Sequence, residues 1–179
     1  FTNGITYVNA YFDLHGVETA DIPYIYLLSD LIGDMDTTVH SYHELASCID
    51  LYTGGIDYAV SAFSDRTDNT KYVPVFRIKA KVLSQNLNKL MTLLKEISMD
   101  TIFSNTERLT ELIEETKAGW DMDAFRRGHT IVMHRVLSYV SPVENFCDAG
   151  ELSYYDFISD IAARIRTDAE QIGARLTAV

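Results

Sequence analysis

The chain has 179 residues, of which 47 % are hydrophobic and 23 % charged, and its 26 acidic and 15 basic side chains give a formal net charge of −11. That balance fits a globular chain with enough apolar material for a core. It argues against nucleic acid and anionic membrane surfaces, which select clustered Lys and Arg, and no apolar run approaches the ~20 residues of a membrane span.

The chain opens on Phe1 and reads as strand almost at once, so the expectation is a domain excised from a longer polypeptide. Residues 4–14 alternate, with Thr6, Val8, Ala10, Phe12 and Leu14 on one face and Ile5, Tyr7, Asn9, Tyr11 and Asp13 on the other. Both faces are fairly apolar, which predicts a central strand. A helix is expected over 22–33, with Asp21 as N-cap, Pro23 in its first turn and Gly33 at its end. A second is expected over 42–53. Ser41 and Glu44 have capping-box spacing, and Gly54-Gly55 stops the helix.

Residues 56–63 and 72–82 read as a strand pair around a polar turn at 65–70. Arg77, Lys79 and Lys81 alternate with Phe76, Ile78, Ala80 and Val82, and Pro74 suggests an edge strand or an early unpaired residue. Beyond residue 83 the period becomes helical. Leu87, Leu90, Met91, Leu94 and Ile97 mark one helix. Leu109, Leu112 and Ile113 mark another, capped by Asn105 or Thr106. A third runs over 123–140 and a fourth over 152–172, the last with Tyr155, Ile158, Ile161, Ala162, Ile165 and Ala169 inward. The whole predicts one α+β domain over 1–179, with helices on a mostly antiparallel sheet. Residues 1–82 would form a strand-helix-helix-strand-strand part and 83–179 a helical part.

Few residues offer chemistry. His40, His43 and Glu44 echo a metal motif, but His43 falls in the first helical turn and His40 before it, so surface or capping roles are expected. His129 and His134 lie about 140° apart around a helix and cannot share an ion unaided. Glu111, Glu114 and Glu115 read as a solvated face; Trp120 and the tyrosines read for the most part as core or rim, with the lining of a peptide-binding surface as the alternative. Cys48 and Cys147 read as reduced, buried thiols. There is no Gly-x-Ser-x-Gly elbow, and Gly54-Gly55 opens no phosphate loop.

The segments "TNGITYVNAYFDLHGVETADIPYIYLLSDLIGDM", "SYHELASCIDLYTGGIDYAVSAF" and "GHTIVMHRVLSYVSP...GELSYYDFI" resemble the insulinase/pitrilysin zinc-peptidase superfamily, in particular its presequence-protease-like subfamily. The resemblance implies the mitochondrial-processing-peptidase-like half-domain fold. In catalytic domains of that family, zinc sits on a His-x-x-Glu-His helix, often preceded by Pro, and a downstream helix adds a Glu ligand. Two His at i and i+4 share a face, and the Glu beside them serves as base. In this sequence Pro23 is followed by Tyr24 and Leu28 at the two His positions and Leu27 at the Glu position. The resemblance therefore implies a degenerate zinc motif, with no catalytic residue, metal ligand or cofactor here. It also implies that Gly128 admits a close neighbour.

The reading that follows is a non-catalytic, chamber-forming domain from the C-terminal half of a zinc-dependent oligopeptidase. Its partners would be the N-terminal catalytic half of the same polypeptide, which carries the zinc, and unfolded peptide substrates. A rival reading is an inactive structural domain of the same fold with no peptidase partner, as in the respiratory-complex core subunits. The sparse cysteines suggest the cytoplasm, with an organelle matrix as the alternative.

Overall fold

The computed structural model describes residues 3–68 and 70–179. Asn69, within the turn expected at 65–70, and the first two residues of the chain lie outside the described residues. The strands are β1 (Ile5–Asp13), β2 (Ile56–Ser64) and β3 (Tyr72–Leu83). The helices are α1 (Ile22–Leu31), α2 (Tyr42–Tyr52), α3 (Leu87–Met99), α4 (Thr106–Leu137), α5 (Pro142–Asp148) and α6 (Leu152–Ala178).

The three strands form an antiparallel sheet in the order β1-β3-β2, so the fold is α+β as expected. β3 is central, with Ala80 opposite Val8 on one side and Ile56 on the other. The reading of β1 as a central strand is thereby corrected, since β1 is an edge strand, and of the two alternatives for Pro74 the edge position falls because β3 is central. The outer face of β1 carries Tyr7 and Tyr11, whose rings are exposed although apolar in composition, and this misleads a pattern-based reading. Pro74 does occupy an early position. Its carbonyl accepts from the Leu14 N–H at 3.0 Å, so the donor it lacks costs only the last rung beside β1.

The buried face of β3 is Phe76, Ile78, Ala80 and Val82, while Lys79 and Lys81 remain exposed. Against that face pack Ile22, Ile25 and Ile32 around α1, Leu45 of α2, Leu90, Leu93, Leu94 and Ile97 of α3, and Phe146 of α5. A second core joins Leu27 and Leu31 of α1 to Leu109, Leu112 and Ile113 of α4 and to the α6 row Tyr154, Ile158, Ile161, Ile165 and Ile172. Helix α1 thus lies between the sheet-side core and the α4–α6 pair, and Tyr26 and Leu28 touch both cores.

The helical half departs from expectation in four ways. The two helices expected around 106–113 and 123–140 are one 32-residue helix, α4. Gly119 and a polar run interrupt the apolar period there. The helix continues because Lys117 pairs with Asp121 and Asp123 with Arg127 at i,i+4, and because α6 lies alongside. Helix α5 has no counterpart among the expected helices; Ser141 caps it by accepting from the Glu144 N–H. On α6 it is Tyr154, not Tyr155, that is fully buried, and the Tyr155 hydroxyl instead reaches Asp121 at 2.8 Å. On α3 Met91 is exposed and Leu93 takes the inward place.

Candidate functional site

Helix α1 begins at Pro23's turn, with the Ile25 N–H donating to the Asp21 carbonyl at 3.0 Å. Asp21 stands at the N-cap, but its carboxylate makes no capping bond; it pairs with Arg175 of α6. Along the helix, Leu27 has 0 % exposure and lies in the second core. Leu28 is half-buried across both cores. Tyr24 packs edge-on against Phe157 with ring centroids 4.9 Å apart, and the Arg175 guanidinium lies 5.8 Å from its ring. These three side chains meet hydrocarbon and aromatic rings. Leucine offers no lone pair, and one phenol does not hold zinc, so this stretch does not fit the metal that a His-x-x-Glu-His helix would carry.

The histidines are dispersed. His40 Nδ1 lies 2.8 Å from Glu96 Oε1, and Thr37 Oγ1 donates to the same oxygen at 2.5 Å. Glu96, on α3 and only 6 % exposed, is thus a buried carboxylate held by two donors. His43 stacks beside Tyr42 with centroids 3.9 Å apart, and Glu44 Oε2 accepts from the Ser41 N–H at 3.0 Å in the expected capping box. His129 is exposed, whereas His134 Nδ1 contacts Glu144 at 2.7 Å. Among the described residues no group of three or more His, Cys, Asp or Glu could hold a metal ion. Cys48 and Cys147 are half-buried free thiols, and burial pushes the Cys147 thiol up, helped by Glu144 and Glu151.

The acidic residues of α4 divide. Glu111 pairs with Arg108 and Glu114 with Arg166, while Glu115 faces a cavity of about 670 Å³. That cavity lies between the end of α1 and the middle of α4, lined by Asp30, Asp34, Arg108, Leu112, Glu115 and Trp120 among others. Trp120 packs edge-on against Tyr154 at 5.4 Å, which fixes the indole as a wall. The Tyr154 hydroxyl donates to Asp30 Oδ2 at 2.7 Å. Partial removal from water holds the Asp30 carboxyl above its ordinary range, although Tyr154 pulls the other way. Asp34 is raised by the same cause, with Arg108 opposing and Glu115 adding to it.

Sequence reading passed over Asp30 and Asp34. A signal was present: two acids close a helix whose last turn has no base, against the helix dipole. The expectation that Gly128 admits a close neighbour is corrected for this chain, since among the described residues a Cβ there would meet nothing within 4 Å.

A family model described as associated with peptidases of family M16, subfamily C, matches residues 1–161. Protein HypA of Clostridium perfringens is 34 % identical over 161 residues, covering 89 % of this chain and 16 % of that protein. The mitochondrial presequence protease of Yarrowia lipolytica is 28 % identical over 164 residues, covering 91 % of this chain and 17 % of that protein. Its counterpart in Drosophila melanogaster is 30 % identical over 151 residues, covering 84 % and 14 %. The chain therefore spans about one sixth of the length of the relatives it matches.

Proposed function

We propose, since this chain belongs to the family of domains associated with M16 subfamily C peptidases, that residues 1–179 act as one non-catalytic, chamber-forming domain of a zinc-dependent peptidase that degrades unfolded peptides. The carrying observation is Leu27. The resemblance assigns its position to the general base, and here it is a fully enclosed hydrocarbon. A leucine can neither bind metal nor accept a proton, so α1 serves as a packing element where Tyr24, Leu27 and Leu28 replace the metal-holding trio. Zinc and the cutting chemistry then belong to the N-terminal half of the same polypeptide.

Exposed apolar surface supports docking against such a partner. Phe125 is 95 % exposed, and Met122, Val132, Met133 and Val136 continue its side of α4 toward Tyr139 and Val140 at the following turn. No described helix is long and apolar enough to cross a membrane. The names of several relatives place those proteins in mitochondria, which favours an organelle matrix over the cytoplasm for this one.

The test compares the isolated chain with the polypeptide that carries it. The chain alone is expected to bind no zinc in stoichiometric amount by elemental analysis and to cleave no peptide. The longer polypeptide is expected to cut unfolded peptides and to lose that activity with a chelator. One equivalent of zinc on the isolated chain, or chelator-sensitive cleavage by it, overturns the proposal.

A further inference from the structure

Helix α4 changes character near its middle. Through Trp120 it buries Leu109, Leu112 and Ile113 and turns Glu107, Glu111, Glu114 and Glu115 outward, as a helix laid on a core should. Beyond Asp121 the water side turns apolar. Among the described residues of that half only Ile131 is buried, while Phe125, Val132, Val136 and Leu137 are exposed. Single exposed apolar residues are ordinary, but a continuous row of them along one helix marks a contact surface.

The row has its own period. Met122, Phe125, His129, Val132, Val136 and, in the turn beyond the helix, Tyr139 are all exposed, and they follow one another at intervals of 3, 4, 3, 4 and 3 residues. That is the 3.5-residue repeat by which one helix seats its knobs into the holes of another; burial against a broad core follows a wider stripe. From Met122 to Val136 the seam runs about 21 Å, or four turns, enough for two heptads. A polar residue at one seam position, here His129, sets the register between paired helices at some cost in stability.

Charge identifies the occupant. From Ala124 to Val140 there is no Asp or Glu, although the chain as a whole carries −11. Arg127 is paired with Asp123 and Glu151, and Arg135 with Asp148. Arg126, exposed on the flank of the seam beside Phe125, enters no ion pair among the described residues. A basic flank beside an apolar seam matches a helix whose own flank is acidic. A second copy of this chain is the poorer match, because it would bring the same basic flank and a further charge of −11. An anionic lipid surface is repelled by the rest of the chain.

We propose that α4 seats a second amphipathic helix along Met122–Val136, with apolar residues at heptad spacing and a carboxylate facing Arg126. The helix crosses α4 at about 20°, the angle of such seams. It comes from elsewhere in the polypeptide that carries this chain, and that source rests on the reading above.

The test makes Val132→p-benzoylphenylalanine in the polypeptide carrying this chain, illuminates it, and maps the adduct by tandem mass spectrometry. Val132 is exposed, and a thermal melt confirms that the variant folds. The expected adduct lies within the same polypeptide, on one segment whose apolar residues recur every three and four positions and whose acids outnumber its bases. The same probe at Glu107, on the acidic side of the first half, is expected to miss that segment. Arg126→Glu is expected to lose about half of the adduct or more, and exchanging the facing acid for Lys is expected to restore it. A cross-linked product of twice the polypeptide's mass shows a second copy and overturns the proposal. An adduct on a basic or non-helical segment, no adduct at all, or a yield that Arg126→Glu leaves unchanged does the same. Flotation with phosphatidylglycerol vesicles that Phe125→Asp abolishes overturns it in favour of a lipid surface. A separate cleavage assay keeps the two readings apart. The expected adduct in a polypeptide that cuts nothing sinks the peptidase reading and leaves the helix seam standing; chelator-sensitive cleavage without that adduct does the reverse.

Discussion

Tyr154 on α6 donates its hydroxyl to Asp30 Oδ2 on α1 across 2.7 Å, from a side chain that is only 1 % exposed. The ring is fixed by two aromatic neighbours, Trp120 edge-on at 5.4 Å and Phe157 stacked at 5.9 Å. Tyr154→Phe keeps those contacts and removes only the donor. Because Asp30 remains open to water on one side, the loss is expected to be about 1.5 kcal/mol at neutral pH, the low end for a bond to a charged group. Urea unfolding of the variant at pH 7 and at pH 3 checks it. The deficit should shrink at pH 3, where the carboxylate is protonated and its bond is weaker.

A second expectation concerns pH directly. Desolvation raises Asp30 and Asp34 above the ordinary 3.8. Folding therefore favours their neutral forms. The stability they contribute is complete below the unfolded value and is lost as pH rises through the folded ones. Many exposed carboxylates, Asp65 and Asp68 among them, are lowered by their own hydrogen bonds and act in the opposite sense, so the wild-type curve alone does not isolate the pair. The variant Asp30→Asn/Asp34→Asn does. Its urea midpoint should match wild type near pH 3, exceed it increasingly as pH rises through the folded values, and hold a constant excess above them. A difference that does not vary with pH would show that the two carboxyls carry no desolvation cost.

Leu27 supplies the third. Leu27→Ala is expected to cost about 2–5 kcal/mol, the usual range for a cavity at an enclosed leucine. Rebuilding the family trio with Tyr24→His, Leu27→Glu and Leu28→His is expected to cost more than that and to capture no zinc. The new carboxylate would lie in the second core, whose members include the hydrocarbon side chains Leu109, Ile113 and Ile158. Tyr24→His alone, at a half-buried position, should be the mildest of these changes. Circular-dichroism melts rank the variants, and zinc titration of the triple variant checks the rest. A folded triple variant that binds zinc would mean α1 retains the geometry of a working site.

What could be read from sequence follows the range over which each feature is determined. The Ser41/Glu44 box and the alternation of Phe76, Ile78, Ala80 and Val82 depend on residues within one turn or one strand, and both were legible. Asp21 shows the opposite case: its residue type and place are right for a cap, but Arg175, 154 residues away, takes the carboxylate. Strand order is equally non-local, since nothing in the β1 sequence says that one of its hydrogen-bonding edges has no partner strand among the described residues. The joined α4 was hidden because its middle leans on charge pairs and on α6 rather than on an apolar stripe. The cavity was hidden because Asp30 and Asp34 meet Glu115 and Trp120 only after α4 folds back over α1.

Two helical glycines give a final expectation with opposite signs. Gly173 lies on the buried side of α6, where an added Cβ would stand 2.4 Å from the carbonyl oxygen of Phe103. That neighbour is backbone, and Phe103 is itself in the core, so it cannot swing aside. Gly173→Ala gains about 1 kcal/mol of helix propensity but meets an overpacking cost of about 1–3 kcal/mol or more, and the clash should win. Gly128 sits within α4, and among the described residues nothing lies within 4 Å of an added Cβ. Gly128→Ala therefore keeps the propensity gain of about 1 kcal/mol with no clash to oppose it. Urea midpoints of the two variants in the isolated chain should move in opposite directions. If Gly128→Ala destabilises the isolated chain, some neighbour does approach that side of α4; if it does so only in the longer polypeptide, the exposed α4 surface is where the other half docks.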